Sequence, residues 1–226
     1  MKSFLLATSL LVTSLAQAYF VATFRSGMDP DIRTHILVAG RGSELVTLFQ
    51  EVAATKAKKL KEQYPNEQIV LIAAEEKGDN VALLERFGFD VQMRPEVVLT
   101  QRRLFDLLVR FNKIASIEVY SHNAPEAGSF LEEKNTIDPN STEAPRLKGK
   151  FTEDAYVIFA GCNTGFYLAP AMARVWGIPV AGSFTATDFK RLHSNGEFYI
   201  NEDYAKPPGD WALQNGISFS HSYPCS

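Results

Sequence analysis

Between residues 34 and 181 the chain alternates short apolar runs with longer stretches of helical spacing. Residues 34–39 (THILVA), 68–73 (QIVLIA), 115–121 (ASIEVYS), 155–160 (AYVIFA) and 178–181 (IPVA) are nearly continuous in apolar or small residues. A strand with one wet face alternates polar and apolar positions, whereas a strand covered on both faces does not. These five runs therefore predict buried strands. Residues 43–64 carry Leu45, Leu48, Phe49, Val52, Leu60 and Tyr64 near helical spacing, with Pro65-Asn66 as a stop. Residues 99–112 do the same with Leu104, Leu107, Leu108 and Phe111. Shorter helices are expected over 80–87, ended by Gly88, and over 170–176, where Pro170 fits the first turn. Residues 89–93 read as a short extra strand.

Strands that alternate with helices predict an α/β fold. The expected architecture has three layers: a mostly parallel central sheet with helices on both faces. Residues 123–154 are polar and turn-rich, a connection long enough to be functional or mobile. The last forty or so residues, with Pro207-Pro208-Gly209, read as irregular strands and loops on the same core.

Length and composition narrow the class. A chain of 226 residues that is 46% hydrophobic and 22% charged is ordinary for a globular protein. A formal charge of -3 gives no basic excess, which argues against nucleic acid as a partner. Cys162 and Cys225 are the only cysteines, too few for a disulfide-dense scaffold or a four-cysteine zinc site. His35, His193 and His221 show no metal spacing, so no metal and no cofactor is expected. Lys56, Lys58, Lys59 and Lys61 read as a solvated helix face that complements the dipole.

The start of the chain reads as an address. Met1-Lys2 precedes an apolar run, and Ala16-Gln17-Ala18 is a small-x-small cleavage site. Residues 1–18 are expected to be a signal peptide and residues 19–226 a single domain. The mature protein is expected to be exported, periplasmic or extracellular, with no stable membrane anchor.

Sites on an open parallel sheet form beyond the C-terminal strand ends. His122 follows the third predicted strand and Cys162 the fourth. If those strands are neighbours, both side chains converge on one cleft. A histidine and a cysteine together suffice for covalent catalysis. Gly161 lets a substrate approach the backbone, and Asn163-Thr164-Gly165 forms a small polar turn. N–H groups around Cys162 would form part of an oxyanion hole.

The run Tyr156 to Gly165 (YVIFAGCNTG), with Ile117 to His122 (IEVYSH) before it, resembles the caspase-like cysteine peptidases of clan CD. It is closest to the bacterial CHAT-type domains. The segment Gly177 to Asp188 (GIPVAGSFTATD) is similar to the strand and loop that follow the nucleophile helix. The resemblance implies a caspase–haemoglobinase-like fold and a peptide or protein substrate. It implies Cys162 as nucleophile and His122 as general acid/base. The oxyanion donors would be the N–H groups of Asn123 and Cys162, with Gly161 beside them. Arg41, Ser183 and Asp188 would be placed to contact substrate. The family has glycine where this chain has Asn123.

Other readings of the same residues stand beside it. A Cys162–Cys225 disulfide would close a long loop, contributing roughly 4 kcal/mol, and would make the protein a non-catalytic binding or structural relative. Gly40-Arg41-Gly42-Ser43 resembles an anion nest at a helix start but lacks the residues of a nucleotide loop. Asn140-Ser141-Thr142 is a glycosylation triplet.

Overall fold

The structure is a computed structural model, and it describes residues 18–24, 27–41, 48–74, 78–95, 97–124, 128–132, 135–184, 187–192, 198–200, 211–215 and 218–219. In chain order the elements are β1 (Tyr19–Phe24), β2 (Thr34–Ala39), α1 (Leu48–Gln63), β3 (Gln68–Ala74), α2 (Gly78–Arg86), β4 (Asp90–Arg94), α3 (Gln101–Leu108) and β5 (Ile114–Tyr120). Then come β6 (Asn123–Ala124), β7 (Gly128–Glu132), β8 (Asn135–Ile137), a 3-10 turn (Ala144–Leu147), β9 (Phe151–Phe159), α4 (Leu168–Trp176) and β10 (Pro179–Ser183). The described C-terminal strands are β11 (Thr187–Leu192), β12 (Phe198–Ile200), β13 (Trp211–Asn215) and β14 (Ser218–Phe219).

The main sheet runs β14-β13-β10-β9-β5-β2-β3-β1-β4. Its centre, β10-β9-β5-β2-β3, is wholly parallel. β1 is antiparallel to both β3 and β4, and β13 is antiparallel to β10. This is the mostly parallel, three-layer α/β arrangement that the apolar runs predict.

The continuous runs are explained by two cores. In β2, Ile36 and Val38 face one core while Leu37 and Ala39 face the other. In β3, Val70 and Ile72 are divided from Ile69 and Leu71 in the same way. Successive residues of a strand point to opposite faces, so both must be apolar. Helices α3 and α4 cover the first face, with Leu104, Leu108, Met172 and Trp176 buried. Helix α1 covers the second with Phe49, Val52 and Leu60. Thr100 caps α3, its hydroxyl accepting the Arg103 N–H, and Gly177 closes α4 at φ 72°.

Several expectations are corrected. Strand β1 was not anticipated; YFVATF directly continues the apolar leader-like run, which hides its boundary. Residues 123–154 are not a bare connection, because β6, β7 and β8 form their own small sheet there. β9 starts four residues before its apolar run, since Ile114 N–H bonds to Lys150 and the pairing with β5 begins at Phe151. The lysines of α1 are not simply solvated. Lys56 lies 3.7 Å from the buried Glu118, and Lys61 donates to the Phe87 carbonyl at 2.6 Å over the Phe24 ring.

A buried polar layer runs under α1. His35 bonds Ser116 Oγ through Nδ1 at 2.7 Å and Glu67 through Nε2 at 2.8 Å, and its ring stacks on Tyr64. Beside it, the Tyr120 hydroxyl donates to Glu118 at 2.6 Å. Burial, then the Glu118 charge, pushes the Tyr156 hydroxyl up to about 12. Burial pushes His35 below its ordinary value, against the opposing pull of Glu67. The folded protein therefore favours neutral His35, while the unfolded chain takes up a proton near pH 6.5. Stability is expected to fall as the pH drops below that value, by at most about 1.4 kcal/mol per pH unit from this group. Thermal melts at pH 7.5 and 5.5 check it. The expected drop shrinks in His35→Gln; an equal drop in that variant would refute the assignment.

Candidate active site

β5 and β9 are parallel neighbours, with Val119 opposite Phe159. The ladder runs one rung past the strands, where the Ala160 N–H donates to the Val119 carbonyl at 2.8 Å. Beyond that rung the two chains carry His122, which is exposed, and Cys162, which is half-buried. The sequence-predicted pair thus shares one sheet edge on adjacent strands. Gly161 is required there: a Cβ would lie 2.8 Å from the Ser121 carbonyl oxygen and 3.0 Å from Asn123 Cβ. The Asn123 side chain crosses between the two loops, donating from Nδ2 to the Cys162 carbonyl at 2.8 Å.

The backbone of His122 is held from two sides. Its carbonyl accepts the Phe130 N–H at 2.9 Å and the Ser121 hydroxyl at 3.0 Å. Its ring meets Phe49 of α1 edge-on, with centroids 5.0 Å apart. Strand β7 also reaches the loop after β2, where the Arg41 N–H donates to the Leu131 carbonyl at 2.9 Å. The chain order reverses between β2 and β5, the usual place for a ligand crevice. Here β7 crosses that point so closely that a Cβ on Gly40 would sit 2.1 Å from the Phe130 oxygen. Both the Gly40 and Arg41 N–H groups are taken by main-chain carbonyls, Tyr120 and Leu131. The Gly40 and Arg41 N–H groups are therefore not left for an anion, while Gly42 and Ser43 of the Gly40-Arg41-Gly42-Ser43 reading lie outside the described residues.

The turn that carries Cys162 is also pinned. Asn163 adopts φ 58°, a left-handed geometry that asparagine tolerates. The buried Thr164 hydroxyl lies 2.6 Å from the Phe159 carbonyl and 3.0 Å from that of Gly161, and it accepts the Ser183 N–H at 3.0 Å. Gly165 N–H returns to the Ser183 carbonyl at 2.8 Å. α4 starts only at Leu168, so Cys162 does not sit at its N-terminus. The exposed Phe166 stacks edge-on against Phe184 on this same edge.

Of the remaining predicted residues, Ser183 is buried and meets the Cys162 turn through its backbone. Arg41 is half-buried after β2. Asp188 belongs to β11, in a separate two-stranded sheet with β12, and its side chain lies outside the described residues. Cys225, His193 and His221 lie outside them too, as do residues 1–17 of the leader-like segment. Among the described residues no group of three or more His, Cys, Asp or Glu could hold a metal, and no helix is long and apolar enough to cross a membrane. Sequence reasoning missed the Asn123 amide and the Thr164 clamp. The signals were there as polar residues flanking each candidate, but the partners are 39 and 19 residues away.

No family profile matches this sequence, and no curated protein matches it. Solved structures of C11 cysteine proteases are similar in fold. One is a secreted enzyme from Bacteroides thetaiotaomicron called iotapain, at 10% identity and TM-score 0.49, covering 82% of this chain and 67% of that one. A second Bacteroides thetaiotaomicron C11 protease structure, with an irreversible peptide inhibitor, gives 9% and 0.42, covering 68% of this chain and 49% of that one. An inactive zymogen from Parabacteroides distasonis gives 13% and 0.41, with 76% and 52% covered. This chain spans about half the length of the latter two. Likeness at these values carries no residue's role.

Proposed function

We propose that the chain is an exported, caspase-like cysteine peptidase in which Cys162 is the nucleophile and His122 the general acid/base. The observation that carries this reading is the placement of His122 and Cys162 just past the ends of two hydrogen-bonded parallel strands, with both turns fixed by hydrogen bonds. The apolar leader of residues 1–18 supports export. Within the superfamily, kinship with CHAT-type domains is proposed from the YVIFAGCNTG run.

In this mechanism His122 takes the Cys162 proton, and the thiolate attacks the scissile carbonyl carbon. The tetrahedral oxyanion is met by the Asn123 and Cys162 N–H groups, with Gly161 allowing the close approach. The intermediate collapses, His122 protonates the departing amine, and a thioester remains. Water, deprotonated by His122, then releases the acid and regenerates the thiol. Arg41 and Asp188 are proposed substrate contacts; the expectation for Ser183 is corrected, because its burial leaves no surface for a substrate.

The test is labelling by a peptidyl acyloxymethyl ketone, mapped by peptide mass spectrometry with and without prior reduction. Stoichiometric modification of Cys162, absent after Cys162→Ala, is the expected result. A Cys162–Cys225 linked peptide that appears only without reduction, together with no labelling, would overturn the reading in favour of the non-catalytic one.

A further inference from the structure

We propose that the Asn123 side chain is a positioning residue for the nucleophile, an inference that rests on Cys162 being that nucleophile. The β5–β9 ladder ends with the Ala160 N–H on the Val119 carbonyl. Past that rung the two loops stay close at Gly161, and the Cys162 carbonyl takes its donor from a side chain. The Asn123 amide supplies it, Nδ2 to oxygen at 2.8 Å, and so adds one side-chain rung to the ladder at the residue that reacts. A peptide unit is planar and trans. Holding the Cys162 carbonyl therefore also fixes the direction of the next N–H, that of Asn163, whose φ of 58° completes the turn.

The other half of the amide supports this assignment. Asn123 Oδ1 is buried with no hydrogen-bond partner among the described residues. An orphaned acceptor costs about 1–3 kcal/mol, so the side chain is not kept for its oxygen. Only its donor is used, and that donor spans the loops of the two reactive residues. Gly161 makes the span short, since no side chain fits between it and Asn123. A glycine at position 123 could not make this bond. The departure from the family pattern thus supplies a tether from the residue after His122 to the Cys162 backbone.

Two readouts test the role separately from the activity. Steady-state hydrolysis of a peptide substrate gives kcat and KM. The iodoacetamide rate at Cys162 against pH needs no substrate. For Asn123→Ala, kcat is expected to fall about 10- to 100-fold with KM within about two-fold, as for a misplaced reacting group. Asn123→Asp is nearly isosteric but faces the Cys162 carbonyl with an acceptor, so it should lose more at neutral pH. Its activity relative to wild type should recover on acidification, when the protonated carboxyl can donate. The alkylation profile of Cys162 should change in both variants. Asn123→Gln, which keeps the amide, should lie between wild type and Asn123→Ala. Wild-type kcat and an unchanged alkylation profile in the Ala and Asp variants would overturn the positioning role. Full turnover by Cys162→Ala would instead sink the peptidase reading, and the alkylation profiles would still decide whether Asn123 positions the thiol.

Discussion

Cys162→Ala is expected to reduce peptide hydrolysis to the background rate, a loss on the order of 10⁵- to 10⁶-fold if the nucleophile behaves as in serine peptidases. The methyl group cannot form the thioester, and nothing else at the ends of β5 and β9 replaces it. His122→Ala is expected to cost about 10²- to 10⁴-fold, the usual worth of a positioned acid/base. The double variant should be no worse than Cys162→Ala, because the two groups act as a unit. Initial rates on a peptide substrate read all three. The fold should survive both changes: His122 is exposed and Cys162 only half-buried, and the hydrogen bonds described above for their turns use main-chain atoms or neighbouring side chains. Retained turnover in either single variant would remove the dyad.

Gly40→Ala is expected to cause a large loss of stability from a small change. The new methyl would lie 2.1 Å from the Phe130 carbonyl oxygen and 2.7 Å from Ser121 Cβ. Neither can swing aside as a flexible side-chain tip would. Phe130 donates its N–H to His122, and Leu131 accepts from Arg41, so displacing β7 loosens both loops. Overpacking of this kind costs about 1–3 kcal/mol, and contact with the Phe130 backbone favours the upper end. Urea unfolding of the wild type and the variant measures it; an unchanged midpoint would mean that β7 does not press on this position.

How much of this could be read from the chain depends on the range of the interaction. The five parallel strands were legible because a doubly covered strand is apolar on both faces over most of its length, with buried His35, Ser116 and Glu118 as exceptions. His122 and Cys162 were legible because they stand where apolar runs end. β1 was not, since its run merges with the apolar segment before it. β7 was hidden for another reason: GSFLE carries its information in the backbone bonds it makes to His122 and Arg41. The Thr164–Ser183 clamp and the Asn123 rung are single side-chain bonds across distant segments. Their residue types fit a turn equally well. The His35–Ser116–Glu67 cluster looked like three unrelated polar residues because its members lie on β2, on β5 and just before β3.

The clamp on the Cys162 turn has a consequence for a chain made from its N-terminus onward. The seat of His122 is closed locally, by Phe130 eight positions later. The turn around Cys162 is not secured until Ser183 arrives in β10 and bonds Thr164 and Gly165. Non-local contacts of this sort form late, after the cost of closing the intervening loop has been met. In a nascent chain the His122 loop would therefore be closed before the Cys162 turn is secured. For the proposed dyad, order of assembly alone would withhold activity until β10 has joined the sheet.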